Sequence, residues 1–201
     1  MFTNTSAFTK VLLKATVKIT IAGFLIGFLH QYDWLVALIL FAKIAVEVYS
    51  RVYKNKNHLF LTGVLLTCIA GLIGEYWGVS NGFWEYHDVT RNLPLWLPFA
   101  WMLAFSFLYK LEVKTIPLLR DKSLKNKLIL TIIFVVFFPA FGEIITIKTG
   151  VWTYYWPYQL FGVPLYAVLC LVFVHMMVNL VLVWANKKYN WKDELFTIDK
   201  N

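Results

Sequence analysis

Six apolar segments, at residues 19–29, 34–49, 59–79, 95–108, 128–147 and 163–185, constrain this chain more than any other feature. A helix needs about 20 mostly apolar residues to cross the hydrocarbon core of a bilayer, and most of these segments approach that length. Composition agrees: 60% of the 201 residues are hydrophobic and 15% charged, against roughly 45–50% apolar and about 25% charged in soluble domains. So few charges cannot cover the surface of a soluble domain, and lipid must be the solvent for much of the chain. A soluble globular enzyme and a disordered chain are both excluded. The expected fold class is an all-α integral membrane protein, a single polytopic domain over residues 1–201 with about six transmembrane helices in three helical hairpins.

The first segment is the weakest. Lys10, Lys14 and Lys18 share one helical stripe, and Lys18 to Asp33 covers only about 22 Å, so these lysines must snorkel toward headgroups. A basic region before a short apolar stretch also resembles a signal peptide. Gly27-Phe28-Leu29-His30 offers no small-x-small cleavage site, so the segment is expected to be a retained anchor.

The net charge of +8 could point to nucleic acid, but its distribution points to topology. With six spans, the N-terminus, the second and fourth loops and the C-terminus share one side. That side collects Lys10, Lys14 and Lys18; Arg51, Lys54 and Lys56; Lys110, Lys114, Arg120, Lys122, Lys125 and Lys127; and Lys187, Lys188, Lys192 and Lys200. Arg91 and Lys148 fall opposite, and Lys43 falls inside a span. The positive-inside rule then puts both termini in the cytoplasm, as in a bacterial inner membrane, with the bilayer itself as partner. Nucleic-acid binding is not expected from charges spread over four segments. Oligomeric state is not legible.

Cys68 and Cys170 fall inside expected spans and read as small apolar packing residues. There is no Gly-rich phosphate loop, paired-cysteine metal motif or His-x-x-x-His pattern, and His30, His58, His87 and His175 are scattered. No cofactor and no metal site are expected.

An internal repeat carries the functional information. Gly74-Glu75 and then Asn81-Gly82-Phe83-Trp84-Glu85-Tyr86-His87 return 68 positions later as Gly142-Glu143 and then Thr149-Gly150-Val151-Trp152-Thr153-Tyr154-Tyr155. After a two-residue slip, Leu93-Pro94-Leu95-Trp96 returns as Val163-Pro164-Leu165-Tyr166. Residues 58–112 and 127–186 thus read as two parallel hairpin units, with 187–201 as a cytoplasmic tail. In each unit a glutamate closes the ascending helix, a glycine permits positive φ where it stops, and a proline starts the descending helix. Glu75 lies sixteen residues after Leu59 and Glu143 sixteen after Lys127, so both stand roughly 24 Å up a core about 30 Å thick, near its outer edge.

Two readings of these carboxyls stay open: they hold the loops together, or desolvation keeps one in its neutral, proton-donating form. Trp84, Tyr86, Trp152 and Tyr154 repeat in register with them and suit the wall of a substrate pocket, since aromatic faces attract cations and apolar ligands. Trp156 and Tyr158 suit an interfacial belt. His175 and Asn179, one turn apart near the midplane, suit either interhelical hydrogen bonding or substrate binding. Lys43 and Glu47 suit an intrahelical pair. Glu85, His87, Asp88 and Arg91 have no charged counterparts in the second loop, and either carry chemistry or are solvated.

From Glu143 through Pro164 the pattern Glu-x5-Thr-Gly-Val-Trp-Thr-Tyr, followed by Phe-Gly-Val-Pro-Leu, resembles small membrane carotenoid enzymes: the lycopene cyclase domain family and bacterioruberin-pathway carotenoid hydratases. Cyclase domains carry paired acidic residues after the proline, where this chain has Leu165-Tyr166-Ala167 and Leu95-Trp96-Leu97. The resemblance carries over onto Glu143 and, by repetition, Glu75, with Trp152, Tyr154 and Pro164. It implies a cofactor-independent cyclase, hydratase or isomerase of an isoprenoid, with Glu75 and Glu143 catalytic and a hydrophobic isoprenoid-like small molecule as ligand. A non-catalytic polytopic protein that binds or carries a lipid is the alternative.

Overall fold

The computed structural model describes residues 2–191 together with Asp193, Leu195 and Phe196. Lys192 and Lys200 of the C-terminal basic group lie outside the described residues. Six helices dominate: α1 (Thr5–Leu29), α2 (Asp33–Val48), α3 (His58–Ser80), α4 (Leu97–Thr115), α5 (Leu124–Lys148) and α6 (Leu165–Tyr189). Four short strands join them: β1 (Trp84–Tyr86), β2 (Trp152–Tyr154), β3 (Gln159–Leu160) and β4 (Val163–Pro164). The fold is helical as expected, and α1, α3, α5 and α6 are long and apolar enough to cross a membrane. By contrast, α2 has 16 residues, and the last turns of α4 carry Lys110, Glu112 and Lys114.

The segment that looked weakest is the end of a 25-residue helix. Asn4 caps α1 by accepting from the Ala7 amide at 2.9 Å. Lys10, Lys14 and Lys18 are exposed, and lysine sustains a helix well when its ammonium stays in water. The opposite face is made small so that α5 can approach. A methyl added at Gly23 would meet Ile145 at 3.1 Å, and one at Gly27 would meet Thr149 Oγ1 at 2.2 Å. Small residues also bring α3 against α4, where Gly63 faces the ring of Phe105 and Gly71 that of Trp101. Pro139 lies inside α5 without ending it.

Burial follows lipid logic. Phe60, Val64, Phe105 and Leu182 form a closed interior between α3, α4 and α6, while Leu13, Ile21, Phe28, Ile69, Ile73, Phe137, Phe173 and Leu180 are each more than half exposed. Apolar surface of that extent on a small chain marks faces that meet another apolar phase.

The ends of α3 and α5 are built alike. Phe83 N–H donates to Gly78 O at 2.9 Å and Gly82 N–H to Val79 O at 3.0 Å; Val151 N–H donates to Thr146 O and Gly150 N–H to Ile147 O, both at 3.0 Å. This is the Schellman pattern, which needs a left-handed residue after the cap, supplied by Gly82 at φ 70° and Gly150 at φ 82°. Each turn delivers its chain into a strand, and β1 and β2 pair antiparallel as Trp84↔Tyr154, Glu85↔Thr153 and Tyr86↔Trp152. The flanking bonds extend this as a matched pair, His87 N–H to Val151 O at 2.9 Å and Tyr155 N–H to Phe83 O at 2.8 Å. The ladder is therefore symmetric about its central Glu85–Thr153 pair.

The descending helices begin differently from the expectation. Pro94 does not start α4: its carbonyl accepts from Leu97 N–H at 3.3 Å in a preceding turn, and Pro98 occupies the first turn. Pro164 is the N-cap residue of α6 and belongs to β4. The two-residue slip lies in the second loop, where β3 and β4 form a hairpin whose connecting residues Phe161 and Gly162 both have positive φ. That is the signature of a twist-compatible two-residue turn.

Glycine substitution separates close packing from open space on α3. A methyl at Gly63 would lie 2.0 Å from Phe105, whereas none lies within 4 Å at Gly74. Gly63→Ala is expected to cost about 1–3 kcal/mol through overpacking, and Gly74→Ala to be neutral or to gain about 0.5–1 kcal/mol from helix propensity. Thermal unfolding of the detergent-solubilised protein reads both.

Candidate active site

The Schellman turns fold each strand back over the helix that precedes it, so the residue eleven positions after each glutamate returns to meet it. Tyr86 OH donates to Glu75 Oε2 at 2.8 Å, and Tyr154 OH donates to Glu143 Oε2 at 3.2 Å. The two carboxyls then diverge. Glu75 Oε2 also accepts from Trp84 Nε1 at 3.0 Å, and its Oε1 accepts from Trp101 Nε1 at 3.3 Å. Glu143 Oε1 has no hydrogen-bond partner among the described residues. The cause is visible in the sequence of the second unit. Trp152 stands where Trp84 stands in the first, but its Nε1 is buried without a hydrogen-bond partner among the described residues. Leu171, which has no side-chain N–H to offer, stands where Trp101 does once the two-residue slip is counted.

Both carboxyls border one cavity of about 90 Å³ at this end of the bundle. Trp84, Trp101, Tyr154 and Trp156 supply its aromatic wall. Ala70, Gly71 and Gly74 of α3, with Ala167 and Cys170 of α6, leave the space by being small. Trp84 and Tyr154 meet edge to face at 5.5 Å, and Trp156 braces Trp84 at 5.8 Å and Tyr166 at 5.6 Å. Exposed Gly74, Trp77 and Cys170 mark the open side. The phenols of Tyr86 and Tyr154 lie in the strands; burial, reinforced by Glu75 beside Tyr86 and by Glu143 beside Tyr154, raises both well above the usual tyrosine range. Both hydroxyls therefore stay protonated and remain donors.

Of the residues expected to bind substrate, Trp84 and Tyr154 line the cavity with the two glutamates. Tyr86 reaches Glu75 from behind the wall. Trp152 packs on Tyr86 at 5.6 Å and Trp96 at 6.5 Å, away from the cavity. His175 and Asn179 do not join it. His175 Nε2 lies 3.1 Å from Glu112 Oε1, both side chains buried, an interhelical contact between α6 and α4. Asn179 Oδ1 is buried without a hydrogen-bond partner among the described residues. Trp156, expected in an interfacial belt, is part of the wall. Cys170, expected as a packing residue, is exposed and borders the cavity, whereas Cys68 is buried. Trp101 was not anticipated, because nothing in the repeat pairs α4 with Glu75. The readable hint was the small-residue run Gly71, Gly74 before Glu75, which admits a large ring.

The charged residues of the first loop act as fasteners. Asp88 Oδ2 lies 3.0 Å from His30 Nε2, and Arg91 pairs with Asp33 at 2.9 Å. Asp33 also accepts from Leu95 N–H at 2.8 Å. His87 contacts Gly150 O and Thr153 Oγ1, and Tyr155 OH donates to Glu85, so both loops are joined through side chains as well as strands. Lys43 and Glu47 form the expected pair at 3.2 Å, and Ser106 and Lys110 of α4 add to it from across the bundle.

The unequal hydrogen bonding predicts unequal responses to amide substitution. In Glu75→Gln one oxygen becomes an N–H donor facing another donor, so at least one buried partner is left unsatisfied. A loss of about 1–3 kcal/mol is expected in thermal unfolding. Glu143→Gln can turn its oxygen to Tyr154 and its NH2 to the open side, and is expected to fold with little loss.

The chain matches no protein-family model, no curated protein and no solved structure.

Proposed function

We propose that this chain is a membrane-embedded, isoprenoid- or carotenoid-modifying enzyme of the cyclase, hydratase or isomerase type, and that Glu143 is its proton donor. One observation carries the reading: two carboxyls from separate helices converge on a single aromatic-walled, largely apolar cavity at the end of the spans. In this reading all six helices cross the bilayer as three hairpins. The matched turns and the symmetric β1–β2 ladder support residues 58–112 and 127–186 as parallel repeats, and the lysine distribution supports cytoplasmic termini with the repeat loops on the outer face.

Pockets that enclose a whole drug-sized ligand run to about 300–1,000 Å³. A cavity of about 90 Å³ with an open side takes only the reacting segment of a long chain, while the rest lies along the exposed apolar faces. Neutral Glu143 transfers its proton to one carbon of a double bond, the new C–H bond forms, and positive charge develops on the neighbouring carbon. The faces of Trp84, Tyr154 and Trp156 stabilise that cation. Glu143, now a carboxylate, recovers a proton when an adjacent C–H is lost, which gives isomerisation or cyclisation; if water adds instead, the proton that the adduct releases returns to it. The donors on Glu75 support a positioning role for that residue: it fixes Trp84, Tyr86 and Trp101, and through them the wall.

Purified protein in nanodiscs is expected to convert a linear polyene isoprenoid in deuterated water with gain of one deuterium per product, read by mass spectrometry. Glu143→Gln is expected to lower turnover by about 10²–10⁴-fold, the usual range for loss of a general acid, while keeping the unfolding temperature. Unchanged turnover in Glu143→Gln, or no product from any linear isoprenoid, would reject the reading.

A further inference from the structure

A second and larger cavity, of about 620 Å³, lies at the opposite, lysine-rich end of the bundle. It shares no residue with the cavity around Glu143. Along α3, its residue His58 precedes Glu75 by seventeen positions, or about 25 Å, which is most of the thickness of the hydrocarbon core. The end of α4, the start of α5, the connection before α3 and, after α6, Trp191, Asp193 and Leu195 line it, so it sits at the depth of lipid headgroups.

Its cations come from separate walls. Lys56 and His58 are presented by the connection into α3, and Lys122 and Lys127 by the connection into α5 and its first turn. Lys56 has φ 56°, and its Nζ lies 5.5 Å from the centre of the Tyr53 ring at the edge of the cavity. None of Lys56, Lys122 and Lys127 forms an ion pair among the described residues. The two acids on the cavity wall are each hydrogen-bonded, Glu112 to a residue outside the cavity and Asp193 to other residues of the wall. Glu112 Oε1 faces His175 at 3.1 Å, and Asp193 accepts from Tyr109 OH at 2.7 Å, Asn57 Nδ2 at 3.3 Å and Leu195 N–H at 3.0 Å. Three lysines on two walls suit a polyanion with several oxygens better than one carboxylate, which a single planar arginine fork would serve. Val113, Ile116 and Trp191 add an apolar side to the same space, so the ligand needs an apolar portion beside its charge.

We infer that this cavity binds a phosphate-bearing group, a phosphomonoester or diphosphate, with Lys56, Lys122 and Lys127 as its ligands. The group belongs either to an anionic lipid headgroup or to a smaller phosphorylated compound, and the site is independent of the chemistry proposed for Glu143. The test measures binding to the full chain in mixed micelles, with phosphatidic acid, inorganic pyrophosphate and phosphatidylcholine as probes. Saturable one-to-one binding is expected for phosphatidic acid or pyrophosphate and not for phosphatidylcholine; phosphatidic acid alone identifies a lipid ligand, and pyrophosphate at equal or greater affinity identifies a soluble one. The combined Lys56→Gln, Lys122→Gln and Lys127→Gln protein is expected to bind roughly 100-fold more weakly, about fivefold for each lysine removed. The combined Lys10→Gln, Lys14→Gln and Lys18→Gln protein loses the same charge from α1, outside the cavity, and is expected to change binding less than about twofold because distant charges are screened. Replacing the three cavity lysines by arginine keeps the charge and is expected to retain binding, which separates loss of charge from loss of fold. Equal weakening by both glutamine triples, failure of the arginine protein, or absence of saturable binding to either phosphate probe would overturn the inference.

Discussion

Two short strands of three residues hold the glutamate-bearing end of this bundle together. Helices α3 and α5 bring their last turns to the same end, but nothing in either helix alone points its glutamate at the other. The pairing of β1 with β2 does that. It fixes the two loops in a symmetric register, turns Trp84 and Tyr154 toward one space, and sets Tyr86 and Tyr154 against the carboxyl of their own unit. The strand pair is too short to be stable in water by itself. It persists because Schellman turns launch both strands and because Glu85, His87, Asp88 and Arg91 tie the loops to each other and to the ends of α1 and α2.

Symmetry in the backbone is broken in the chemistry. The same turn and the same Glu-to-Tyr contact occur twice, yet Glu75 is surrounded by three donors and Glu143 by one. A half-buried carboxyl with both oxygens engaged is a good anchor and a poor reagent. One with a free oxygen beside an apolar space has the opposite character. Divergence at two tryptophan positions, one orphaned and one replaced by leucine, is enough to produce this division between otherwise equivalent units. The two ends of the bundle divide in the same way: carboxyls and aromatic rings at one, lysines around a wide polar cavity at the other.

The apolar segments were legible because a span leaves a long and unambiguous composition signal, and the helices lie where that signal is. The ends of α3 and α5 were legible too, since a glycine after a helix has a specific conformational use, and Gly82 and Gly150 take it. The start of α1 was not, because charged residues on one stripe lower an average without breaking a helix. The prolines misled for a related reason. A proline marks where a helix cannot continue backward, but Pro94 lies a turn early and Pro164 sits in a hairpin that only strand pairing creates. Trp156 joins the wall and Trp152 a packed stack, each against expectation, since an aromatic residue near a helix end serves a belt, a wall or a stack with equal sequence signal.

By itself, then, the sequence determined a helical chain with long apolar spans and two like turns, a glutamate before each, because these rest on local composition, hydrogen bonding and backbone conformation. Only the tertiary structure decided that the two glutamates share a cavity, that His175 belongs to Glu112 instead, and that Trp101 reaches Glu75 over Gly71. Those outcomes depend on which helix faces fit closely enough to meet, and that fit is a property of several segments at once.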